Sequence, residues 1–187
     1  DSPLVGPSYD GGSAPVRGRK GSEYEGGVRV PFIAAWAKPD AKNKFQKKYP
    51  IAQNAVQLQQ GTVMDLYPTI LSVAHVKPPK HYALDGADLK KLFQGKEDKK
   101  HRDDFLMHFP HGEHRANYFT TYRKGDWKLI YYYHPETTGI PTWKLYNLKD
   151  DPYEKTEVSA EYPEKTASMI EHMKDRLKEE NALYPEE

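Results

Sequence analysis

Hydrophobic and polar positions change rhythm along this chain. Residues 1–27 show no period and are rich in Gly, Pro and Ser, which reads as an ordered or partly ordered loop. The run "VRVPFIAAWA", Val28 to Ala37, is apolar and short. It predicts a strand, with Pro31 at a sheet edge or strand start because proline has no N–H for a ladder. "KPDAKNKFQKKYP" is a polar connection. In "QLQQGTVMDLYPTILSVAHV", Val63, Leu66, Ile70, Val73 and Ala74 recur at helical spacing, with Pro68 in the first turn and Asp65 near the cap. "KPPKHYALDGADLKKLFQGK" predicts a loop and a short helix, Ala87 to Phe93, stopped by Gly95.

From Asp103 the period becomes two. "DDFLMHF" predicts a strand, and "ANYFTTYRKGDWKLIYYYH" a hairpin with strands Tyr118–Tyr122 and Trp127–Tyr133 about a turn at 123–126. "WKLYNL", Trp143 to Leu148, predicts a further strand, and "KDDPYE" a turn. The tail from Pro163 returns to helical spacing, with Ala167, Ile170, Met173 or Lys174, and Leu177 along one face. The expected fold class is thus an α/β fragment followed by an α+β part, a small antiparallel sheet packed on a C-terminal helix. The expected division is 1–101 and 102–187.

Composition narrows the function. Net charge is +1, from 28 basic and 27 acidic residues, which gives no electrostatic case for nucleic acid or a membrane surface. No apolar run approaches the roughly 20 residues of a membrane span. There is no cysteine, hence no disulfide, thiolate metal site or cysteine nucleophile. Fourteen tyrosines supply much of the apolar surface as amphipathic rings. The start, "DSPLVGPSYDGGSAP", lacks the basic start and apolar middle of a signal peptide and reads like the inside of a loop of a larger protein.

One stretch carries candidate chemistry. In "GRKGSEYEGGVRVP", Lys20 lies between Gly18 and Gly21, followed by Gly26 and Gly27. Glycines at this density permit positive φ and close approach of backbone to a ligand. An ammonium held in such a frame is a compact point charge suited to an anion. The string is not the phosphate loop G-x-x-x-x-G-K-[ST]. Taken alone, it fits a solvated loop lysine as well as an anion contact, and spacing by itself favours the former.

Extended to "GRKGSEYEGGVRVPFIAAW", the string closely resembles the second signature of the sulfatase family, K-G-x-x-Y-E-G-G-x-R-x-P. Further matches follow in order. "VMDLYPTILSVAHV" resembles that family's D-L-x-P-T-[LI]-L helix, and "ALDGADLKKLFQGK" its L-D-G-x-S-L-x-x-L-x-G segment. "YRKGDWKLIYYY" is similar to its R-x-G-D-x-K-L-I strand, and "WKLYNLKDDPYEKTEV" to its L-Y-[DN]-L-x-x-D-P-x-E turn. The resemblance runs from about Pro15 to Val158.

The resemblance implies an alkaline-phosphatase-like hydrolase of sulfate esters on a sulfated carbohydrate or aryl group. It implies a formylglycine nucleophile made from Cys or Ser in C/S-x-P-x-R, and a calcium ion held by Asp and Asn oxygens. The family's signature lysine corresponds to Lys20, which would reach a sulfate or ester oxygen and offset charge on the leaving oxygen. This chain departs from the pattern. No cysteine is present, and no serine is followed by x-P-x-R. Asp1 is followed by Ser2, not Asn, and is not assigned as a ligand. The expectation is a C-terminal portion whose nucleophile and calcium ligands lie upstream in a missing N-terminal part, inactive alone, with no metal ligand of its own. By resemblance, its compartment is periplasmic, extracellular or lysosomal.

Other candidates are weaker in kind. "HFPHGEHR" sets His108, His111 and His114 at metal-like spacing, but Pro110 and Gly112 indicate a loop. His108 and His111 resemble an H-[FY]-P-H loop at the active-site mouth, which makes them candidate substrate contacts. Arg17 and Arg19 flank the lysine, and Arg17 is a further candidate contact to an anionic substrate. Glu25 and Arg29 read as structural, locking the loop onto the following strand. The run Tyr131 to Tyr133, with Trp127 and Trp143, fits either a carbohydrate platform or the packing between sheet and helix. Two other functions stay open: a phosphodiesterase or phosphonate monoester hydrolase of the same superfamily, and a non-catalytic carbohydrate-binding module.

Overall fold

The computed structural model describes residues 15–111 and 118–185, with the side chains of 137 and 138 left aside. Four strands form a single antiparallel meander in the order β1-β2-β3-β4: β1 Asp104–Phe109, β2 Phe119–Lys124, β3 Trp127–Tyr132 and β4 Trp143–Asn147. The β2–β3 hairpin is tighter than the sequence predicts. Lys124 pairs with Trp127, which leaves a two-residue turn of Gly125 and Asp126, with Gly125 at φ +57°. Positive φ at that position is what lets a short turn match the strand twist. A single helical turn, Pro135–Thr138, precedes β4 and was not predicted.

The chain divides into two compact units. One is Phe32–Asp103; the other joins the described residues up to Pro31 with those from Asp104 onward.

Register explains the second unit's core. Leu129 faces Leu145 and Tyr122 across the sheet, on one face, while Ile130 faces Thr121 and Lys144 on the other. On the Leu129 face, Tyr122 and Leu145 pack with Met169, Met173 and Leu177 of the final helix, Pro163–Glu179. Pro163 stands at the first turn of this helix, where its missing N–H costs nothing. Burying each of these apolar side chains contributes about 1.5–3 kcal/mol. The helix faces the sheet slightly rotated from the expected stripe: Met169 is buried and Ala167 is exposed.

The opposite face is covered as well. Phe119, Ile130, Tyr132 and Tyr146 pack with Tyr24 and Leu148. The glycine-framed loop is thus a packing layer of the sheet. The aromatic run divides between the two faces and is core. Tyr132 is buried among the Tyr24 group, and Tyr131 stacks on Trp143 at 4.3 Å between ring centroids on the helix side.

In the Phe32–Asp103 unit, Tyr49 is buried, donates its hydroxyl to Asp88 at 2.6 Å and accepts the Trp36 indole N–H at its carbonyl, 3.1 Å. The helix Leu66–Val73 follows a 3₁₀ turn, Val63–Asp65. Its fully buried positions are polar, while Leu66 and Val73 of the expected apolar stripe are half-buried. Buried Asp65 accepts from the Thr62 and Ala87 N–H groups (2.7 and 2.8 Å), and Thr69 Oγ1 accepts from Leu89 N–H at 2.9 Å. Val63 and Ile70 point outward, 78% and 63% exposed. The short helix is Lys90–Phe93, ended by Gly95 at φ +71°.

The predicted strand Val28–Ala37 does not form. Val28 ends a helical turn, and the residues after it are irregular, with Ile33 89% exposed. A strand needs a neighbour for its backbone groups, and among the described residues all pairing lies within the meander.

Candidate functional site

The Lys20 loop is built by its glycines. Gly18 and Gly21 adopt φ of +86° and +88°, values that side chains resist, so the backbone reverses on both sides of Lys20. Ser22 N–H donates to the Arg19 carbonyl at 2.9 Å, and the Ser22 hydroxyl accepts from Arg19 N–H at 3.1 Å. Downstream, Glu25–Val28 forms one helical turn where the sequence reads only loop. Two glycines tolerate that turn because there is no room for a side chain. A Cβ on Gly26 would lie 2.6 Å from the Arg17 carbonyl oxygen, which instead accepts the Gly26 N–H at 2.6 Å. This bond closes the base of the loop, with Lys20 between the two left-handed glycines beyond it.

Buried polar contacts then fasten the loop to the sheet. The Glu23 carboxylate accepts the Tyr132 hydroxyl at 2.6 Å, and the Glu23 carbonyl accepts the Thr121 hydroxyl at 3.3 Å. Burial first, and then the Glu23 charge, push the Tyr132 hydroxyl well above its usual range, so it stays a donor. Glu25, 3% exposed, meets Lys128 Nζ at 3.1 Å and Arg123 at 3.3 Å. Its backbone N–H donates to Glu154 Oε2 at 2.7 Å. Lys128 Nζ lies 2.7 Å from Glu154 Oε1. Burial raises the affinity of Glu154 for a proton, and Lys128 opposes it.

Each predicted residue has a definite place. Lys20 is half-buried in the loop. Arg17 lies with its guanidinium 3.8 Å from the centre of the Tyr24 ring and donates to the Glu154 carbonyl at 2.8 Å. His108 is on β1, where Nδ1 meets Thr120 Oγ1 at 2.7 Å and Nε2 meets the Leu183 carbonyl at 2.6 Å. His111 is exposed beside Phe109, with ring centroids 5.3 Å apart. His114 lies outside the described residues. Glu25 does lock the loop, but its side-chain partners are Lys128 and Arg123, while Arg29 is exposed. Among the described residues no three His, Cys, Asp or Glu side chains are placed to hold a metal ion, and the calcium and formylglycine of the resemblance are assigned to no residue here.

Sequence reading missed Glu23, Lys128, Tyr132 and Glu154 as supports. Lys128 follows Trp127 on a strand and reads as a solvated position. The available signal was the strand period: Lys128 shares a face with Ile130 and Tyr132, both apolar.

The fold and the loop together define a sulfatase C-terminal region. A protein solved in complex with its substrate, D-glucosamine-2-N,6-O-disulfate, matches with TM-score 0.50 and 29% identity over 61% of this chain and 23% of its own. A structure solved with k-i-k-neocarrahexaose shares the fold at TM-score 0.57 and 24% identity, over 87% of this chain and 32% of its own. Residues 20–182 match the family model N-sulphoglucosamine sulphohydrolase, C-terminal, and the chain belongs to that family. A sulfatase of Formosa agariphila is 33% identical over 94% of this chain, and N-acetylgalactosamine-6-sulfatase of Sus scrofa 34% over 61%. The chain spans 30% and 21% of the length of these two relatives. None of its described helices is long and apolar enough to cross a membrane.

Proposed function

We propose that this chain supplies one wall of the active site of a sulfatase acting on a sulfated carbohydrate, with Lys20 as the residue that meets the sulfate ester. The observation that carries this reading is the loop itself. Two left-handed glycines, a closed base and a buried attachment hold the backbone that carries Lys20 in place. A group fixed in advance stabilises charge developing on the leaving oxygen without reorganising during reaction. Arg17, held against Tyr24, stiffens the loop and adds positive charge beside it. His111 is exposed and free to turn toward a substrate, whereas His108 has both ring nitrogens occupied and serves the fold.

The nucleophile and a calcium ion belong to the remainder of the enzyme in this reading. In this reading the chain finishes the catalytic domain and adds the smaller subdomain built on the four-stranded sheet. Outward-facing Ile33, Val63 and Ile70 fit a surface that packs on that remainder. A sulfated sugar is favoured over an aryl sulfate because the structural relative at 29% identity is solved with a sulfated glucosamine as its substrate. Export to a periplasmic, extracellular or lysosomal space fits such a substrate.

The test is a substrate panel on the full-length enzyme: 6-O- and N-sulfated glucosamine, 6-O-sulfated galactosamine, an aryl sulfate and a phosphonate monoester. Release of sulfate from a sulfated amino sugar, faster than hydrolysis of the other two classes, supports the reading. Preference for the phosphonate overturns it.

A further inference from the structure

The Lys20 loop is clamped at its base by one residue from a distant turn. Glu154 adopts φ +54°, a conformation a glutamate takes at a cost. In that conformation its backbone carbonyl accepts the Arg17 guanidinium at 2.8 Å. Its Oε2 accepts the Glu25 N–H at 2.7 Å, and its Oε1 pairs with Lys128 at 2.7 Å. The two ends of the loop, Arg17 and Glu25, thus converge on one residue. Lys128, itself fully buried, bridges Glu154 and Glu25 from the second position of β3. These groups come from three segments, each lying in a separate motif of the sequence.

Such a cluster is a poor way to gain stability. Desolvating three charges is costly, and apolar replacements of buried ion pairs are often neutral or stabilising. What the cluster does is define direction. Lys128 Nζ lies within ion-pair distance of both carboxylates while Glu154 Oε2 takes the Glu25 N–H, and a loop tied to that arrangement has one place.

We propose that Lys128, with Glu154, is a positioning residue pair that fixes the location of Lys20 at the sulfate ester; this rests on the functional reading of Lys20 above. Neither residue touches substrate. Their effect on turnover passes through Lys20 alone.

The test uses the full-length enzyme. Lys128→Met and Glu154→Gln are made singly and in a Lys20→Ala background, with steady-state kinetics on the best sulfated sugar and amide hydrogen exchange on each variant. In the parent background each should lower kcat by about tenfold or more while changing KM little, the mark of an interaction realised in the transition state. In the Lys20→Ala background the same substitution should cost less than about twofold further, because contacts acting through one residue are not additive. The amides of Glu25 and Gly26 should exchange faster while those of β2 and β3 keep their protection. Equal fractional losses in both backgrounds, or unchanged exchange at Glu25 and Gly26, overturn the proposal. If Lys128→Met does not fold, the near-isosteric Glu154→Gln carries the same test. If Lys20→Ala retains parent activity, the functional reading fails instead, and the exchange pattern alone decides whether the clamp exists.

Discussion

The Tyr132 hydroxyl donates to the Glu23 carboxylate at 2.6 Å, across a gap of 109 residues. Glu23 lies three residues from Lys20, so this bond ties the strand directly to the loop. Replacing Tyr132 by Phe keeps the ring in the core but leaves a buried carboxylate short of a donor. We expect Tyr132→Phe to destabilise the protein by about 1–3 kcal/mol, read as a shift of the denaturant midpoint at constant slope.

Burial pushes the Tyr133 hydroxyl from 10.0 up to about 12, against the lowering effect of its contact with Thr120 at 2.9 Å. The folded protein therefore holds this proton more tightly than the unfolded chain. The stability so contributed is complete below pH 10.0 and is lost as pH rises through about 12. Unfolding measured across this range should show a loss of stability that is smaller in Tyr133→Phe. An identical alkaline loss in the variant would show that Tyr133 is not its source.

The final helix separates its two sides sharply. Met173, 1% exposed, packs on Tyr122 and Leu129. Met173→Ala should cost about 2–5 kcal/mol through lost burial and the cavity left behind. Exposed Ala167 should accept Gln with a change within about 0.5 kcal/mol. Thermal unfolding of both variants decides whether the buried stripe is Met169, Met173 and Leu177.

Much of the second half was legible because its chemistry is local. The period of two gave four strands, the turn expected at 123–126 contains the two-residue turn observed, and Pro163 with its apolar spacing gave the closing helix. The first half was harder for a physical reason. Val28–Ala37 has the composition of a strand but no partner among the described residues, and pairing, not composition, makes a strand. Asp65 and Thr69 look like surface positions of a helix, yet they turn inward to satisfy the backbone of residues 87–89. At the candidate site, the sharp turn that the glycines build around Lys20 could be read directly. Glu23 and Glu154 could not, because the burial of each comes from contacts with residues more than 100 positions away, and for Lys128 the one local signal was the strand period it shares with Ile130 and Tyr132.

Gly26 tests the loop's closure. A methyl group there would run into the carbonyl oxygens of Arg17 and Gly18, which are backbone and cannot swing aside. Gly26→Ala should cost about 1–3 kcal/mol, as overpacking does, and should reduce turnover in parallel with Lys20 displacement. Gly125, where an added Cβ meets nothing within 4 Å, is the control: its cost comes from positive φ alone and leaves turnover intact.

The most direct measurement is kcat/KM for sulfate-ester hydrolysis by the full-length enzyme carrying Lys20→Ala, alongside its unfolding midpoint. We expect a fall of about 100-fold or more with the midpoint essentially unchanged, the scale of losing one preorganised charge-stabilising group. Turnover within about twofold of the parent, in a protein of parental stability, would contradict the assignment of Lys20 to the sulfate ester.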